Sequence, residues 1–351
     1  MSDLLRIIST ITFLFFISAC ELLDRNASHV HHSQFFSFGT VIEITQFDSD
    51  EQRVKRVEEK VKADFDYMHR AWHPYEPGPL ARINSLLPFS SSFSAAPSVL
   101  PLIKRGTELA ALSDGYFNPA IGRLIQLWGF DRAEDLDSAV PPDSGQIKLL
   151  VSGLPTMKDI EINGLSVTGH NKNLFLDFGG FAKGYGVDRV IEELKKIGVE
   201  NVIINAGGDL RAIGSKGGKP WVIGIRHPRN KGVIASIEIS GDESVFTSGD
   251  YERFFEYQGK RYHHILNPMT GYPGEDFQSV TIVHKNASLA DAAATSLLVA
   301  GKKDWRRIAK KMGVSQVMLI DQQGKVTITP ALKKRIKLHD VPADDVIVQE
   351  L

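Results

Sequence analysis

The sequence contains a single cysteine, Cys20, among its 351 residues. A lone cysteine excludes an intramolecular disulfide framework, and it leaves zinc without the thiolate ligands of its commonest structural sites. Long runs of one charge are absent too, and the formal net charge is -1. The chain therefore has no overall basic field that would favour nucleic acid, and we expect no nucleic-acid partner.

The apolar stretch near the N-terminus, residues 7–17, is too short for a transmembrane helix, which needs roughly 20 apolar residues. It suits the apolar region of a secretory signal. The segment Ile17-Ser18-Ala19-Cys20 that follows resembles a bacterial lipobox, in which small residues precede a lipidated cysteine. We therefore predict a signal peptide at 1–19 and a lipidated tether at 20–32. The alternative is an ordinary signal peptide with an incidental cysteine.

The full sequence is globular in composition, with 42% hydrophobic and 24% charged residues. Apolar side chains from Glu51 to Trp72 recur at steps of three and four, which predicts an amphipathic helix. Residues 174–178 predict a strand, and a glycine turn and a helix to Ile197 follow it. Further along, strand-like segments adjoin one another and helices fall between them irregularly. This pattern favours an α+β fold over a doubly wound parallel sheet.

A predicted helix with Ser288 as its N-cap carries Asp291 and Thr295 four positions apart, and therefore on one face. The residues between them are small, so another group can approach that face closely. Carboxylate and hydroxyl oxygens are ligands that Mg²⁺ prefers, and substrate phosphate and water usually complete such a site. The pair predicts a magnesium site. The alternative is an aspartate that favours the helix dipole beside a surface threonine.

Two glycine-rich turns could present backbone to a ligand. In the first, the turn before Lys183 opens a helix, whose N-terminus offers free N–H groups to phosphate, and the lysine could meet a phosphate oxygen directly. In the second, Asp209 follows Gly207-Gly208 at the end of a buried strand. Neither segment is a Walker loop or a dinucleotide-binding fingerprint, so both remain open to interpretation as simple tight turns.

Two adjacent histidines, His263 and His264, end a predicted hairpin formed by residues 254–257 and 261–264. Neighbouring side chains on a strand point to opposite faces, so at most one of them faces a given pocket. Histidine is the usual candidate for moving a proton near neutral pH. The alternative is a histidine that only packs in the hairpin.

Together and in this order, the motifs resemble the FAD:protein FMN transferase (ApbE) family over nearly all of residues 38–301, and the lipobox fits that family as well. The segments that carry the resemblance are Ser113–Pro119 with Trp128–Phe130, Asp177–Tyr185, Asn205–Asp209, Ser248–Tyr251, His264–Pro268 with Thr270–Gly271, and Ala290–Thr295.

The resemblance implies an α+β fold of mainly antiparallel sheets with flanking helices, in two interlocked subdomains around a flavin cleft. We assign this domain to residues 33–335 and a C-terminal tail to 336–351. The resemblance also implies Mg²⁺ as cofactor and FAD as substrate. The FMN half of FAD would pass to a threonine hydroxyl of an acceptor, and AMP would leave. The expected acceptors are flavoprotein subunits of membrane redox complexes. The expected location is the periplasm, with a lipid anchor in the inner or outer membrane.

The resemblance also implies roles for single residues. Asp291 and Thr295 would bind Mg²⁺ with the main-chain carbonyl of Ala182, and Lys183 and His264 would be catalytic, with His264 as a candidate base. The predicted FAD contacts are Phe38, Trp72, Pro74, Tyr75, Asn118, Lys183, Asp209, His264 and Thr270. The family often has methionine in place of Phe38 and aspartate in place of Asn118 and Asn267.

Two other functions are compatible with these residues. The first is an Mg²⁺-dependent FAD pyrophosphatase, in which water replaces the threonine hydroxyl and the products are FMN and AMP. The second is a non-catalytic lipoprotein that binds FAD, although storage alone gives no reason for a metal beside the phosphates.

Overall fold

The structure is a computed structural model that describes residues 29–132 and 136–351. The predicted signal peptide and Cys20 lie outside the described residues, and both stay predictions. In the part of the chain that is described, no helix combines the length and the apolar character that a membrane span requires.

Helices and strands alternate irregularly along the chain. The helices are α1 (Glu51–Trp72), α2 (Pro79–Leu86), α3 (Leu100–Leu112), α4 (Gly122–Leu127), α5 (Ser144–Ser152), α6 (Ala182–Lys196), α7 (Ala287–Met312) and α8 (Pro330–Lys333). The strands are β1 (His29–Ser37), β2 (Thr40–Asp48), β3 (Phe93–Ser94), β4 (Ile160–Asn163), β5 (Ser166–Gly169), β6 (Val202–Ala206), β7 (Asp209–Ile213), β8 (Trp221–Arg226), β9 (Val233–Ile239), β10 (Glu243–Gly249), β11 (Phe254–Tyr257), β12 (Lys260–His263), β13 (Phe277–His284), β14 (Gln316–Asp321), β15 (Val326–Ile328), β16 (Ile336–Leu338) and β17 (Val346–Val348).

A nine-stranded sheet in the order β1-β2-β6-β7-β10-β13-β14-β15-β17 forms the centre of the molecule. Its neighbouring strands are antiparallel except for β15 and β17, which run parallel. The residues that the structure describes also form three small antiparallel sheets, β11-β12, β16-β9-β8 and β3-β5-β4. The prediction of an α+β fold with mainly antiparallel sheets is confirmed.

In the middle of the large sheet both faces are buried, as the continuous burial of β7 and β13 shows, and successive side chains point to opposite faces. Phe246 of β10 and Ile282 of β13 join the cluster formed with helices α1, α6 and α7. Their sequence neighbours Val245 and Val283 join the opposite cluster, with the β16-β9-β8 sheet. Helix α7 is therefore pressed against the middle of the sheet, where alanines allow close packing.

The predicted amphipathic helix is α1. Its N-cap Asp50 accepts hydrogen bonds from the backbone N–H groups of Gln52 and Arg53, which satisfies two of the free donors at the helix start. The predicted apolar positions Val54, Val57, Val61, Phe65, Met68 and Trp72 are all buried. The period of the sequence was therefore sufficient to identify this helix and its buried face.

The strand predicted at residues 174–178 is wrong. Only one bridge forms there, between Phe175 and Ile121. The other backbone groups bond to scattered partners instead of a ladder: Leu176 exchanges both of its hydrogen bonds with the side chain of Asn84, and the Asp177 N–H donates to the carbonyl of Pro119. An apolar run that is fully buried does not specify its partner, so the periodicity could not distinguish these cases.

Two smaller boundaries also differ from prediction. The N-cap of α7 is Asn286, not Ser288, and its side chain accepts the N–H of Leu289 at 2.8 Å. The hairpin strand β12 ends at His263, so His264 lies just beyond it. Gly301 interrupts α7 with a φ of 64°, so this element consists of two helical parts.

The ends of the described chain take part in the sheets. Strand β1 begins at His29, within the segment that we assigned to the tether. In the segment assigned to the tail, β16 pairs with β9, and β17 pairs with β15.

Candidate functional site

The N-terminus of α6 lies against the first turns of α7. The backbone N–H of Gly184 donates to Asp291 Oδ2 at 2.9 Å, across 107 positions of sequence. A Cβ on Gly184 would lie only 2.4 Å from the backbone oxygen of Ala287, so only glycine allows this approach. The predicted phosphate-facing turn and the predicted metal-binding helix are therefore adjacent.

Thr295 lies one turn further along α7, and it faces the same glycine turn. Its Oγ1 lies 3.5 Å from the carbonyl oxygen of Gly180 and 3.1 Å from the hydroxyl of Ser248. Ala182, whose carbonyl the resemblance assigns to the metal, is the first residue of α6, two positions after Gly180. The hydroxyl of Thr295 thus lies close to a backbone carbonyl oxygen and to a side-chain hydroxyl oxygen.

Asp209 reaches the same place from the sheet. The turn Gly207-Gly208 between β6 and β7 has positive φ at both positions, 69° and 99°, as a two-residue hairpin of this kind requires. One carboxylate oxygen of Asp209 accepts the N–H of Thr247 at 2.8 Å, and the other forms an ion pair with Lys183 Nζ. Lys183 and Asp209 therefore form an ion pair, and Asp291 lies close enough to act on the charge of Lys183.

The electrostatics of this group are set by burial and by mutual proximity. Burial alone would lower the pKa of Lys183, but Asp209 and Asp291 together raise it above its ordinary value, so the lysine is a cation. Burial raises the pKa of Asp291 well above the usual aspartate range, against the opposing effect of Lys183. An additional cation beside Asp291 would favour its ionised form.

The donor set fits Mg²⁺ better than zinc. Among the described residues, no group of three or more histidine, cysteine, aspartate or glutamate side chains is placed to hold a metal. Asp291 and Thr295 offer hard oxygen atoms, and one backbone carbonyl lies next to the hydroxyl. Mg²⁺ commonly binds through one or two carboxylates and takes its other ligands from phosphate and water.

The two histidines have different surroundings. His263 is buried, donates from Nε2 to the carbonyl of Gly274 at 2.6 Å and accepts the N–H of Ile265 at Nδ1, so both ring nitrogens are used. His264 donates from Nδ1 to the carbonyl of Arg253 at 3.2 Å, and its ring lies against Phe130. In that tautomer Nε2 of His264 is an acceptor. Burial, followed by the charge of Arg253, lowers the pKa of His264 well below its ordinary value.

Aromatic side chains form the other part of the site, at the end of α1. The rings of Phe38 and Trp72 stack with centroids 6.0 Å apart, and the indole N–H of Trp72 donates to the carbonyl of Ser98. Tyr185 of α6 contacts the ring of Trp72 edge-on at 5.6 Å. These rings thus connect to α6 only two residues after Lys183.

Tyr75 is linked to the glycine turn through Asp177. Its hydroxyl donates to Asp177 Oδ2 at 2.8 Å, and Oδ1 of the same aspartate accepts the N–H of Gly179. The ring of Tyr75 stacks on Phe175 at 5.5 Å. Pro74, half-buried, connects Trp72 to Tyr75 along the chain.

Two predicted FAD contacts, Asn118 and Thr270, form hydrogen bonds to other parts of the chain. Asn118 is buried; its amide donates to the carbonyl of Pro155 and its oxygen accepts the N–H of Ala120. Thr270 is exposed, and its hydroxyl accepts the N–H of Tyr272. Within the described residues, neither side chain hydrogen-bonds to Lys183, Asp209 or Asp291. Both assignments stay predictions.

Sequence reasoning missed three residues that the structure brings to this site, namely Asp177, Tyr185 and Ser248. Asp177 bridges Tyr75 and Gly179, Tyr185 contacts Trp72, and Ser248 contacts Thr295. All three lie inside motifs that we had singled out. The signal was therefore present, but nothing in a single sequence tells which residue of a motif points into the site.

The fold and the site together define a class of protein: an α+β protein with a site at a helix N-terminus that suits a phosphorylated ligand and a hard cation. The sequence matches the ApbE family over residues 38–319, and the chain belongs to that family. This confirms the family predicted from the motifs.

Several relatives are named FAD:protein FMN transferase. The protein from Rhodobacter capsulatus is 37% identical over 303 residues, which cover 86% of this chain and 58% of the relative. The chain thus spans less than two thirds of that longer protein. The protein from Vibrio cholerae is 32% identical over 235 residues, which cover 66% of this chain and 69% of the relative.

Solved structures agree with the fold. The ApbE protein of Thermotoga maritima superimposes with a TM-score of 0.79 at 30% identity, covering 87% of this chain and 99% of that chain. The flavinyl transferase ApbE of Pseudomonas stutzeri, in its apo form, gives a TM-score of 0.76 at 27% identity, covering 88% of this chain and 96% of that chain.

Proposed function

We propose that this chain is an Mg²⁺-dependent FAD:protein FMN transferase. It moves FMN from FAD to a threonine hydroxyl of an acceptor flavoprotein and releases AMP. The hydrogen bond from Gly184 to Asp291 carries the proposal, because it joins the helix start beside Lys183 to the helix that bears Asp291 and Thr295. The names of the relatives support the same reaction.

The reaction exchanges one P–O bond for another. The threonine oxygen attacks the phosphorus of the FMN half, the bond from that phosphorus to the bridging oxygen breaks, and AMP leaves with that oxygen. The hydroxyl proton passes to a base. Mg²⁺ held by Asp291 and Thr295 would supply neutralisation of the clustered phosphate charge. Lys183 is held as a cation by its carboxylate neighbours, so it adds positive charge at the same place.

His264 is the base in this proposal. A threonine hydroxyl is a poor nucleophile, and a positioned base contributes roughly 10²–10⁴-fold to the rate. The lowered pKa of His264 keeps its imidazole neutral near pH 7, and its Nδ1–H bond to Arg253 leaves Nε2 to accept the proton. A neutral imidazole with an unprotonated Nε2 is the form of histidine that can take up a proton.

The aromatic residues at the end of α1 provide the recognition of the flavin in this proposal. Phe38 and Tyr75 are partly exposed and offer flat surfaces of the kind that stack on a planar ring system, and the buried ring of Trp72 stacks on Phe38. Their connection to α6 through Tyr185 would place a ring system and its phosphates along one continuous path.

The proposed location is the periplasm, with an anchor at Cys20 in the inner or outer membrane. The lipobox-like segment supports it, as does the absence of any other cysteine. The acceptors would then be flavoprotein subunits of membrane redox complexes. A Cys20→Ala variant should move from the membrane to the soluble periplasmic fraction, and its retention in the membrane would contradict lipid anchoring.

Mass spectrometry of an acceptor tests the activity. After incubation with FAD and Mg²⁺, one FMN should be found on a threonine, together with one AMP released per FMN attached. Asp291→Asn serves as the inactive control. Free FMN and AMP with unmodified acceptor would instead indicate a pyrophosphatase. Stable FAD with no AMP under any condition would indicate a flavin-binding protein.

A further inference from the structure

Asp188 on α6 holds the beginning of α7. Its Oδ1 accepts the backbone N–H of Ala287 at 2.9 Å, and its Oδ2 accepts that of Ser288 at 2.8 Å. The first N–H groups of a helix have no partner within the helix. The side chain of the N-cap residue Asn286 accepts the next free N–H group, that of Leu289. The neighbouring helix therefore supplies acceptors that the helix start itself lacks.

Arg211 of β7 offsets the free-energy cost of burying the carboxylate of Asp188. Its side chain is 7% exposed, and its Nη1 donates to Asp188 Oδ1 at 2.7 Å. The same guanidinium also binds Asp242 and Glu192. A buried carboxylate without a partner is strongly destabilising, so Asp188 needs this arginine. The clamp, which we define as Asp188 and Arg211, thus connects α6, α7 and the sheet.

The clamp is in register with the candidate metal site. Asp188 lies four residues after Gly184 on α6, and Ala287 lies four residues before Asp291 on α7. Four residues are about one helical turn. Two contacts on successive turns, Gly184 with Asp291 and Asp188 with Ala287, fix both the rotation and the sliding of α7 relative to α6. Thr295, one turn further on, is fixed with them.

We propose that Asp188, held by Arg211, is a positioning residue that sets the geometry of Asp291 and Thr295 relative to Lys183, and so the affinity for Mg²⁺. The inference rests on the proposed function for the identity of the metal. It adds a residue that touches neither metal nor substrate. Asp188 is distinct from a residue that only stabilises the fold, because its loss should weaken metal binding while FAD binding persists.

The decisive variant is Asp188→Asn, which keeps the volume but turns one acceptor oxygen into a donor facing a backbone N–H. Partners of this kind typically affect metal affinity by about 10–100-fold. We expect such a weakening of Mg²⁺ binding to the FAD complex, measured by calorimetry. FAD affinity without metal, measured by flavin fluorescence, should be unchanged.

Glu192→Gln is the matched control. Glu192 binds the same Arg211 from an exposed position, 53% accessible, but is not bonded to the start of α7. Its Mg²⁺ affinity should equal that of the parent. If Asp188→Asn fails to fold, Arg211→Lys, which keeps the charge but loses the forked geometry, should show an intermediate loss.

Three results would overturn the inference: parental Mg²⁺ affinity in a folded clamp variant, a parallel fall of Mg²⁺ and FAD affinity with melting temperature, or failure of both variants to fold. A parent protein that binds no Mg²⁺ would overturn the metal in the proposed function instead. The parent and variant measurements therefore separate the two failures.

Discussion

The two ends of the site are built differently. The helix junction, formed by Lys183, Gly184, Asp291 and Thr295, is held by hydrogen bonds to backbone and by close approach of two helices. The aromatic wall, formed by Phe38, Trp72 and Tyr75, is held by ring contacts with centroids 5.5–6.0 Å apart. The geometry of the helix junction depends on the positions of single hydrogen-bonding atoms. The geometry of the aromatic wall depends on how flat rings fit against each other.

This difference corresponds to the chemistry of the proposed substrate. A phosphate has a fixed charge and directional acceptors, so the groups around it cannot be exchanged freely. A flat ring system is matched by many aromatic surfaces. The departure from the family at Phe38 lies in the aromatic wall, whereas the helix junction keeps the motif residues. We therefore expect substitutions in the junction to have larger effects than those in the wall.

The largest effect is expected for Asp291→Asn. Removing a charged ligand should cost several kcal/mol of transition-state stabilisation, about 10³-fold or more in rate. AMP release at saturating FAD and Mg²⁺ measures it, with FAD binding as the control for folding. Activity within tenfold of the parent would show that the junction is not the metal site.

His264→Ala should reduce transfer by roughly 10²–10⁴-fold. FAD affinity should remain, because the proposal gives His264 the proton and not the binding of the rings. Single-turnover transfer to the acceptor separates chemistry from product release. Unchanged turnover would exclude His264 as the base, and loss of FAD binding would assign it to recognition instead.

Gly184→Ala and Gly186→Ala compare the helix junction with the aromatic wall, because both glycines lie on α6 but face different parts of the site. A Cβ at Gly184 would meet backbone of α7 at 2.4 Å, whereas at Gly186 it would meet the ring of Phe38 at 3.2 Å, where side chains can adjust. Gly184→Ala should lower the free energy of unfolding by about 1–3 kcal/mol, and Gly186→Ala by less, since alanine favours a helix. Denaturant melts of both variants give the comparison. Equal losses would contradict it.

Tyr75→Phe should have a smaller effect. It removes the hydrogen bond to Asp177 and keeps the ring stacked on Phe175. The expected cost in FAD affinity is about 1 kcal/mol, or roughly fivefold. Tyr75→Ala is the control, which also removes the stacking surface. If Tyr75→Phe lost as much affinity as Tyr75→Ala, the aromatic wall would depend on single atoms as well.

The pH dependence should show the smallest effect. Burial lowers the pKa of His264, so the neutral base persists as pH falls below the ordinary histidine value of about 6.5. At pH 6.5 we therefore expect kcat/KM to stay above half of its plateau. A half-maximal rate at or above that pH, measured at saturating Mg²⁺ so that Asp291 stays ionised, would indicate a solvated histidine or another base.

Much of the fold followed from local patterns. The buried face of α1 is visible in its spacing of three and four, and the Gly207-Gly208 pair predicted a turn that the β6-β7 hairpin contains. The run at 174–178 was misassigned because its hydrogen-bond partners, Asn84 and Pro119, lie far away in sequence. Local patterns indicate which residues are buried, but they do not indicate which groups those residues hydrogen-bond to.

The sequence by itself determined which residue types were available: one helix face with Asp291 and Thr295, a glycine turn before Lys183, and a single cysteine near the N-terminus. Only the tertiary structure decided that Gly184 and Asp291, 107 positions apart, touch, and that Asp188 holds the helix that carries Asp291. The reason is physical. A helix face is set by bonds between neighbours in sequence, whereas the distance between two helices is set by the packing of everything around them.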